Sequence, residues 1–353
     1  MSNWSEIAEA YDASRDGPAI LVTVGRIKGS TPRDTGSNML ITATKCIGTI
    51  GGGRLEYIAI EKARNLLGDE TKSSEIHELP LGPELAQCCG GYVQLLLHKL
   101  QGDEAASIFN RLNENIENST ILFHWSKSEC HHQIISESDS LIYLDKPLQT
   151  AIERRLNLPG AEVVENGQSP KTIFTLVQSL HDAEFHVTIF GAGHVGRALV
   201  AALATLPCQI TWVDSRASEF PTDIPKNVHK IVTESEASAI ADCPTGSYFL
   251  IMTHSHQLDL EICEKLLATG DDAAFIGLIG SKTKKSKFEK RLAIRGFGSS
   301  AISRITCPIG MPELVGKRPA EIALSIAPDL LRRHQQTRAR ISPRNQNEAN
   351  NSS

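Results

Sequence analysis

A short apolar run, His186–Phe190, ends in Gly-Ala-Gly-His-Val-Gly at Gly191–Gly196, and Val195, Leu199, Ala202, Leu203 and Leu206 then recur at helical spacing until Pro207. This order of strand, glycine loop and helix restricts the fold more than any other feature of the chain. Glycines there let backbone N–H groups approach a phosphate, and the helix N-terminus adds favourable partial charge. Gly191, Gly193, His194 and Gly196 are therefore candidate ligand-binding residues. Asp214 lies 23 residues after Gly191, at the end of the next strand-like stretch, Gln209–Val213. It is placed to accept from ribose hydroxyls, although Arg216 leaves the choice between plain and 2′-phosphorylated dinucleotides open. A Rossmann shape without a dinucleotide is the alternative, since fold does not fix ligand.

The alternation continues downstream. Lys230–Val232, Tyr248–Met252 and Ala274–Ile276 read as strands, and Glu234–Ala241 and Leu258–Ala268 as helical segments. Strands separated by helices imply a parallel sheet covered on both faces. The first half differs. Ala19–Arg26, Asn38–Thr42, Tyr92–Leu100, Thr120–Trp125, His132–Ser136 and Ser140–Leu144 read as strands with short connections. Leu55, Ile58, Ala59, Ala63, Leu66 and Leu67 form one helical face. The fold class is α/β: a C-terminal doubly wound, Rossmann-like parallel sheet over residues 182–335 plus an N-terminal α+β domain over 1–181. Residues 160–171 read as a polar, exposed connection. The stretch from about His334, and with it a tail at 336–353, is rich in Arg, Asn, Gln and Ser and is expected to be disordered.

Composition narrows the function. Lys plus Arg number 36 against 41 Asp plus Glu, a formal charge of −5, which argues against nucleic acid as a partner. No apolar run approaches the roughly 18 residues of a membrane span, and the N-terminal stretch does not resemble a secretory signal. Eight cysteines in 353 residues are ordinary intracellular usage. A soluble, cytoplasmic protein is expected.

Four further features carry chemistry. Gly51, Gly52 and Gly53 precede the Leu55–Leu67 helix and form a second loop able to receive an anion, with Arg54 and the upstream Arg33 as charge-assisted donors; a tight turn requiring positive φ is the plainer reading. Cys88 and Cys89, in QCCGG, are accessible thiols suited to a soft metal, nucleophilic attack or sulfur transfer, against the usual role of cysteine as a small buried hydrophobe. They have no C-x-x-C partner, so a structural zinc site is not indicated. His254 and His256 follow the strand Tyr248–Met252, where open α/β sheets bind ligands, with Asp259 as a possible partner; the alternative is that they merely cap the next helix. Lys282–Arg295 holds seven basic residues and one acid, Glu289, and reads as a solvated helix or a docking face for an anionic partner.

Taken together, GSTPRDTGSNMLI, GTIGGGRLEYIAIEKAR, LGPELAQCCGG, IFGAGHVGRALV, MTHSHQLDLEIC, GLIGSKTKKSKF and CPIGMPELVGKRPAEIA, spread from about residue 19 to 331, resemble the xanthine dehydrogenase accessory proteins, the XdhC/CoxI family. The resemblance implies a non-catalytic chaperone. Such a protein binds and protects the molybdenum cofactor (molybdopterin or its dinucleotide form), supports its sulfuration by a cysteine desulfurase, and inserts it into xanthine dehydrogenase or a related molybdenum hydroxylase. It also implies a homodimer. On that reading the glycine loops meet the phosphate, Arg33, Asp34 and His254 the pterin, and Cys88 or Cys89 the molybdenum. Two other readings compete. One is an NAD(P)-dependent oxidoreductase with His254 or His256 as acid–base; the other is a docking module without a bound pterin.

Overall fold

The computed structural model describes residues 4–81, 91–113, 119–126, 129–165, 172–180, 185–270 and 272–341. The chain divides into two compact units, Met1–Asp182 and Ala183–Ser353.

The first unit runs α1 (Trp4–Ala10), α2 (Ala13–Asp16), β1 (Ala19–Lys28), β2 (Asn38–Ile41), β3 (Cys46–Gly48), α3 (Gly53–Gly68), β4 (Ser74–Pro80), β5 (Tyr92–Leu100), α4 (Gly102–Asn113), β6 (Ser119–Trp125), β7 (Cys130–Ser136), α5 (Lys146–Asn157), β8 (Ala161–Glu165) and β9 (Phe174–Ser179). Its strands form two antiparallel sheets, ordered β3-β2-β1-β5-β4 and β7-β6-β9-β8. β1 is apolar on both faces because both are covered. Ile20, Val22 and Val24 pack with Leu55, Ala59, Ala63 and Leu66 of α3, whereas Ala19 and Leu21 share a core with Ile121, Phe123 and Trp125 of the second sheet. The outer face of that second sheet carries α5 through Leu148, Ala151, Ile152 and Leu156.

Two expectations for this unit are corrected. Ser140–Leu144 is not a strand but a turn: Leu144 N–H donates to Leu141 O, and Gln149 Nε2 donates to the Leu141 and Leu144 carbonyls, so a side chain satisfies groups that a sheet ladder would otherwise hold. Within 160–171, Ala161–Glu165 is a strand paired in register with β9, from Ala161↔Gln178 to Glu165↔Phe174; residues 166–171 lie outside the described residues.

The second unit runs β10 (Phe185–Phe190), α6 (His194–Leu203), β11 (Cys208–Asp214), β12 (Val228–Val232), β13 (Tyr248–Ile251), α7 (His256–Ala268), β14 (Phe275–Leu278), α8 (Lys282–Ile294), α9 (Ser299–Ser303), β15 (Ile305–Thr306) and α10 (Pro319–Ile341). All six strands are parallel, in the order β12-β11-β10-β13-β14-β15. This is the 3-2-1-4-5-6 order of the doubly wound dinucleotide fold. Val187 and Ile189 face α6 and α10, whereas Phe190 and Ile251 face α7 and α8, so both sides of the sheet are buried.

The C-terminal stretch also departs from expectation. α10 continues to Ile341 because its buried face, Ala323, Ile326, Ala327 and Leu330, extends one more turn to His334. That ring stacks on Phe185 at 4.6 Å. Residues 342–353 lie outside the described residues. Among the described residues no helix is long and apolar enough to cross a membrane.

Candidate functional site

The strand order of the second unit reverses between β10 and β13, the position at which doubly wound sheets bind ligands. The glycine loop sits there. Gly191 has φ +117, and a Cβ on it would lie 2.4 Å from Met252 O; a Cβ on Gly196 would lie 2.1 Å from Gly191 O. The packing of loop, helix and neighbouring strand therefore requires both glycines. Gly193 is different: its φ is −69°, and a Cβ would meet nothing within 4 Å. Neither backbone nor packing demands a glycine there, and what its missing side chain leaves is clear access to the start of α6. Gly193 is also the N-cap of α6 and supplies no side-chain acceptor, so the first N–H groups of the helix have no side-chain cap. A phosphate fits both the opening and the helix dipole.

Asp214 ends β11 beside this loop but does not stand open to a ribose. It is buried, with its Oδ2 accepting Ala192 N–H at 2.7 Å and Arg216 Nη2 at 2.8 Å. Its Oδ1 accepts Arg216 N–H at 2.9 Å and Nε at 3.0 Å. Burial pushes the carboxyl up, but the hydrogen bonds from Arg216 and Ala192 outweigh it and hold it below the usual carboxylate range. Asp214 thus shapes the glycine loop and fixes a half-exposed guanidinium at the crevice. Behind it lies a group that the sequence reading did not identify. Glu236 is 1% exposed; its Oε1 accepts Ser215 N–H at 2.9 Å, and its Oε2 has no hydrogen-bond partner. Burial, reinforced by the Asp214 charge, raises its carboxyl despite the Ser215 hydrogen bond. Glu236 stands in a polar run, Thr233–Ser238, whose sequence gives no sign that one member is buried.

His254 and His256 are both exposed at the carboxyl end of β13. The helix cap between them is Ser255, which accepts Leu258 N–H, so neither histidine serves as the cap. Asp259, expected as their partner, turns inward. It accepts Thr253 N–H at 3.0 Å and Thr253 Oγ1 at 2.8 Å, and it pairs with Lys284 Nζ at 2.5 Å. Lys284 also donates to Ile279 O at 2.8 Å. One of the seven basic residues of the Lys282–Arg295 segment is therefore a buried counter-ion and not part of a solvated or docking face. It braces the Met252–Thr253 turn against which Gly191 packs.

In the first unit the structure brings the two predicted loops together: a Cβ on Gly51 would lie 2.4 Å from Pro32 Cβ and 3.4 Å from Arg33 Cγ. Gly51, Gly52 and Gly53 have φ of +118°, +74° and +64°, a run that disfavours side chains. The loop is not open, however. Glu56 Oε2, from the first turn of α3, accepts Thr49 Oγ1 at 2.7 Å, Gly52 N–H at 2.9 Å and Ile50 N–H at 3.3 Å. Two of the three glycine turn positions thus have internal acceptors, Gly52 N–H on this carboxylate and Gly51 N–H on Thr49 Oγ1 at 3.1 Å. Arg54 lies over the exposed Tyr57 ring, and Arg33 is half-buried. Cys88 and Cys89 lie outside the described residues. The residues that bracket them are tied together, with Leu81 N–H donating to Gly91 O at 2.7 Å, and Gly91 lies against the Ser30 carbonyl beside the Arg33 loop.

A family model described as the XdhC Rossmann domain matches residues 187–330, and one described as the XdhC and CoxI family matches residues 13–78. YqeB of Escherichia coli (strain K12), an uncharacterized protein, is 27% identical over 196 residues, which span 53% of this chain and 35% of YqeB. The chain thus matches about a third of that relative's length. A solved structure from Bacillus halodurans, of a protein named a xanthine dehydrogenase, superposes with a TM-score of 0.72 at 20% identity, covering 97% of this chain and 98% of that one. At this identity the likeness establishes a shared fold. One model lies over the parallel sheet and its open glycine loop, the other over β1 to α3 and the self-filled loop, and the chain belongs to the XdhC and CoxI family.

Proposed function

We propose that this protein is a non-catalytic accessory factor that binds the molybdenum cofactor, protects it, supports its sulfuration and delivers it to xanthine dehydrogenase or a related molybdenum hydroxylase. The observation that carries the reading is the uncapped start of α6 behind Gly193, an anion-receptive position open in a protein of this family. The cofactor is cargo here. Its phosphate, or the pyrophosphate of a dinucleotide form, meets the α6 N–H groups. Arg216 supplies charge at the rim, and the exposed His254 and His256 offer donors to polar parts of the ligand. Gly51–Gly53 could take a phosphate only by displacing Glu56, so their part in this reading is to shape the loop that presents Arg33 and Arg54. Sulfur chemistry by Cys88 or Cys89, a cysteine desulfurase partner and homodimerisation belong to the same proposal.

A second reading, an NAD(P)-dependent oxidoreductase, is favoured by the 3-2-1-4-5-6 strand order and weakened by the engagement of both Asp214 oxygens. One experiment separates the two. The protein is mixed with molybdenum cofactor anaerobically, freed of unbound ligand by gel filtration, and assayed for pterin and molybdenum. Near-stoichiometric retention is expected. Gly193→Val, which the open space tolerates, should reduce retention by about tenfold or more, since it removes one phosphate site worth at least ~1.4 kcal/mol. A pterin-free peak from folded wild-type protein overturns the chaperone reading. Hydride transfer from NADH or NADPH by that same protein would establish the oxidoreductase.

A further inference from the structure

The two sheets of the first unit enclose one apolar core, and three polar side chains meet at its margin. Alternation along β5 turns Leu96, His98 and Leu100 toward this core. His98 is 2% exposed, and its ring lies edge-on to Phe123 and Trp125 at 6.0 and 6.3 Å. Glu104 reaches in from the first turn of α4, whose Ala105, Ile108 and Phe109 pack into the same core. His132 comes from β7, two residues after the buried Cys130 and on the same face. Both imidazoles address one oxygen: His98 Nε2 is 2.9 Å and His132 Nδ1 3.1 Å from Glu104 Oε1. One donor atom from each residue lies within 4.8 Å of the other two.

This arrangement is short of positive charge. Among the described residues no Lys or Arg pairs with Glu104, whose ionic partners are the two histidines. His98 Nδ1 is buried without a hydrogen-bond partner, so the ring is held through Nε2 alone. A carboxylate at the edge of an apolar core needs a counter-charge, and two imidazoles with one carboxylate are a common zinc ligand set. Zinc bonds of about 2.0–2.1 Å place tetrahedral ligand atoms roughly 3.3 Å apart, so the two nitrogen–oxygen separations of 2.9 and 3.1 Å need open by only a few tenths of an ångström.

We propose that His98, Glu104 and His132 form a binding site for a divalent ion of the zinc class, with the fourth position left to water on the side where Glu104 meets solvent. Nitrogen and oxygen donors select a borderline ion over the soft ions that thiolates prefer. The ion ties one strand of each sheet to α4, and the site stands independently of the cofactor-binding crevice in the second unit.

The test uses the full chain, stripped with a chelator and then given zinc alone. Metal content after gel filtration should be about one zinc per chain. A competing chromophoric chelator gives the affinity. Glu104→Gln and His132→Ala should each weaken binding by at least the roughly 10–100-fold that loss of even a supporting hydrogen-bond partner costs a metal site. X-ray absorption of the wild-type zinc protein requires no variant, and its first coordination sphere should contain nitrogen and oxygen only. Folded wild-type protein that retains no zinc overturns the proposal. So does a sulfur-rich sphere, or wild-type affinity in both folded variants, since either would place the ion elsewhere.

Discussion

The two units each contain a glycine-rich turn from strand to helix, and the turns solve the same physical problem in opposite ways. At Gly51–Gly53 the chain supplies its own anion: Glu56 folds back over the loop and takes the Ile50 and Gly52 N–H groups, while Gly51 N–H donates to Thr49 Oγ1. At Gly191–Gly196 the nearby carboxylate, Asp214, binds only the Ala192 N–H and otherwise holds Arg216, so the start of α6 has no side-chain acceptor. A glycine pattern therefore establishes that a loop can receive an anion, while its neighbours decide whether the place is taken.

The sharpest way to break this contrast is to remove the support of the open loop. Lys284→Ala leaves Asp259 buried with only Thr253 to satisfy it, and loss of one partner from a buried pair costs about 3–5 kcal/mol. A lowered denaturation midpoint, with part of the loss recovered by adding Asp259→Asn, is the expected result. An unchanged midpoint would show that the crevice does not depend on this brace.

Acid should weaken the sheet beneath the open loop by a somewhat smaller amount. His186 in β10 lies between Ser247 Oγ at 2.8 Å and Thr211 Oγ1 at 2.9 Å, and burial lowers its pKa to about 4. Since the unfolded chain takes up this proton near pH 6.5 and the folded chain only near 4, stability falls with pH across that window and levels off below it. The full loss is about 3 kcal/mol. Denaturation curves of wild type and His186→Gln from pH 7 to 4 should diverge by this amount, with the variant less sensitive. Parallel curves would contradict the assignment.

The smallest expected effect is on the filled loop. Glu56→Ala removes the acceptor of the Ile50 and Gly52 N–H groups and should cost about 1–2 kcal/mol, the scale of a lost helix cap. It should also convert the loop into a second phosphate site, visible by calorimetry as an added binding event with inorganic phosphate. Loss of stability without new binding would mean that the loop's geometry, and not its occupant, excludes anions.

Much of the second unit was legible in the sequence because local signals repeat there. Each apolar strand is bounded by a turn and followed by a helical face, and GAGHVG marks the turn that lies at the switch point of the sheet. The first unit was harder. Leu141 and Leu144 are apolar and close together, yet Gln149 from the next helix captures their carbonyls and makes a turn. Val163 and Val164 stand among charged residues, yet pairing with β9 makes them strand. The polar end of α10 read as disordered because its apolar face is sparse beyond Leu330, whereas stacking of His334 on Phe185 carries the helix onward.

By itself the sequence determined the parallel sheet, the glycine loop at its switch point and the resemblance to one family, since all three are encoded in residues adjacent along the chain. Only the tertiary structure decided which groups are already taken. Asp214 is spent on Arg216, Asp259 on Lys284 and the first glycine loop on Glu56, while Gly193 remains open. It also brought His98, Glu104 and His132 to one point from three separate elements. Occupancy and convergence depend on distances between side chains remote in sequence, and those distances exist only once the sheets have packed.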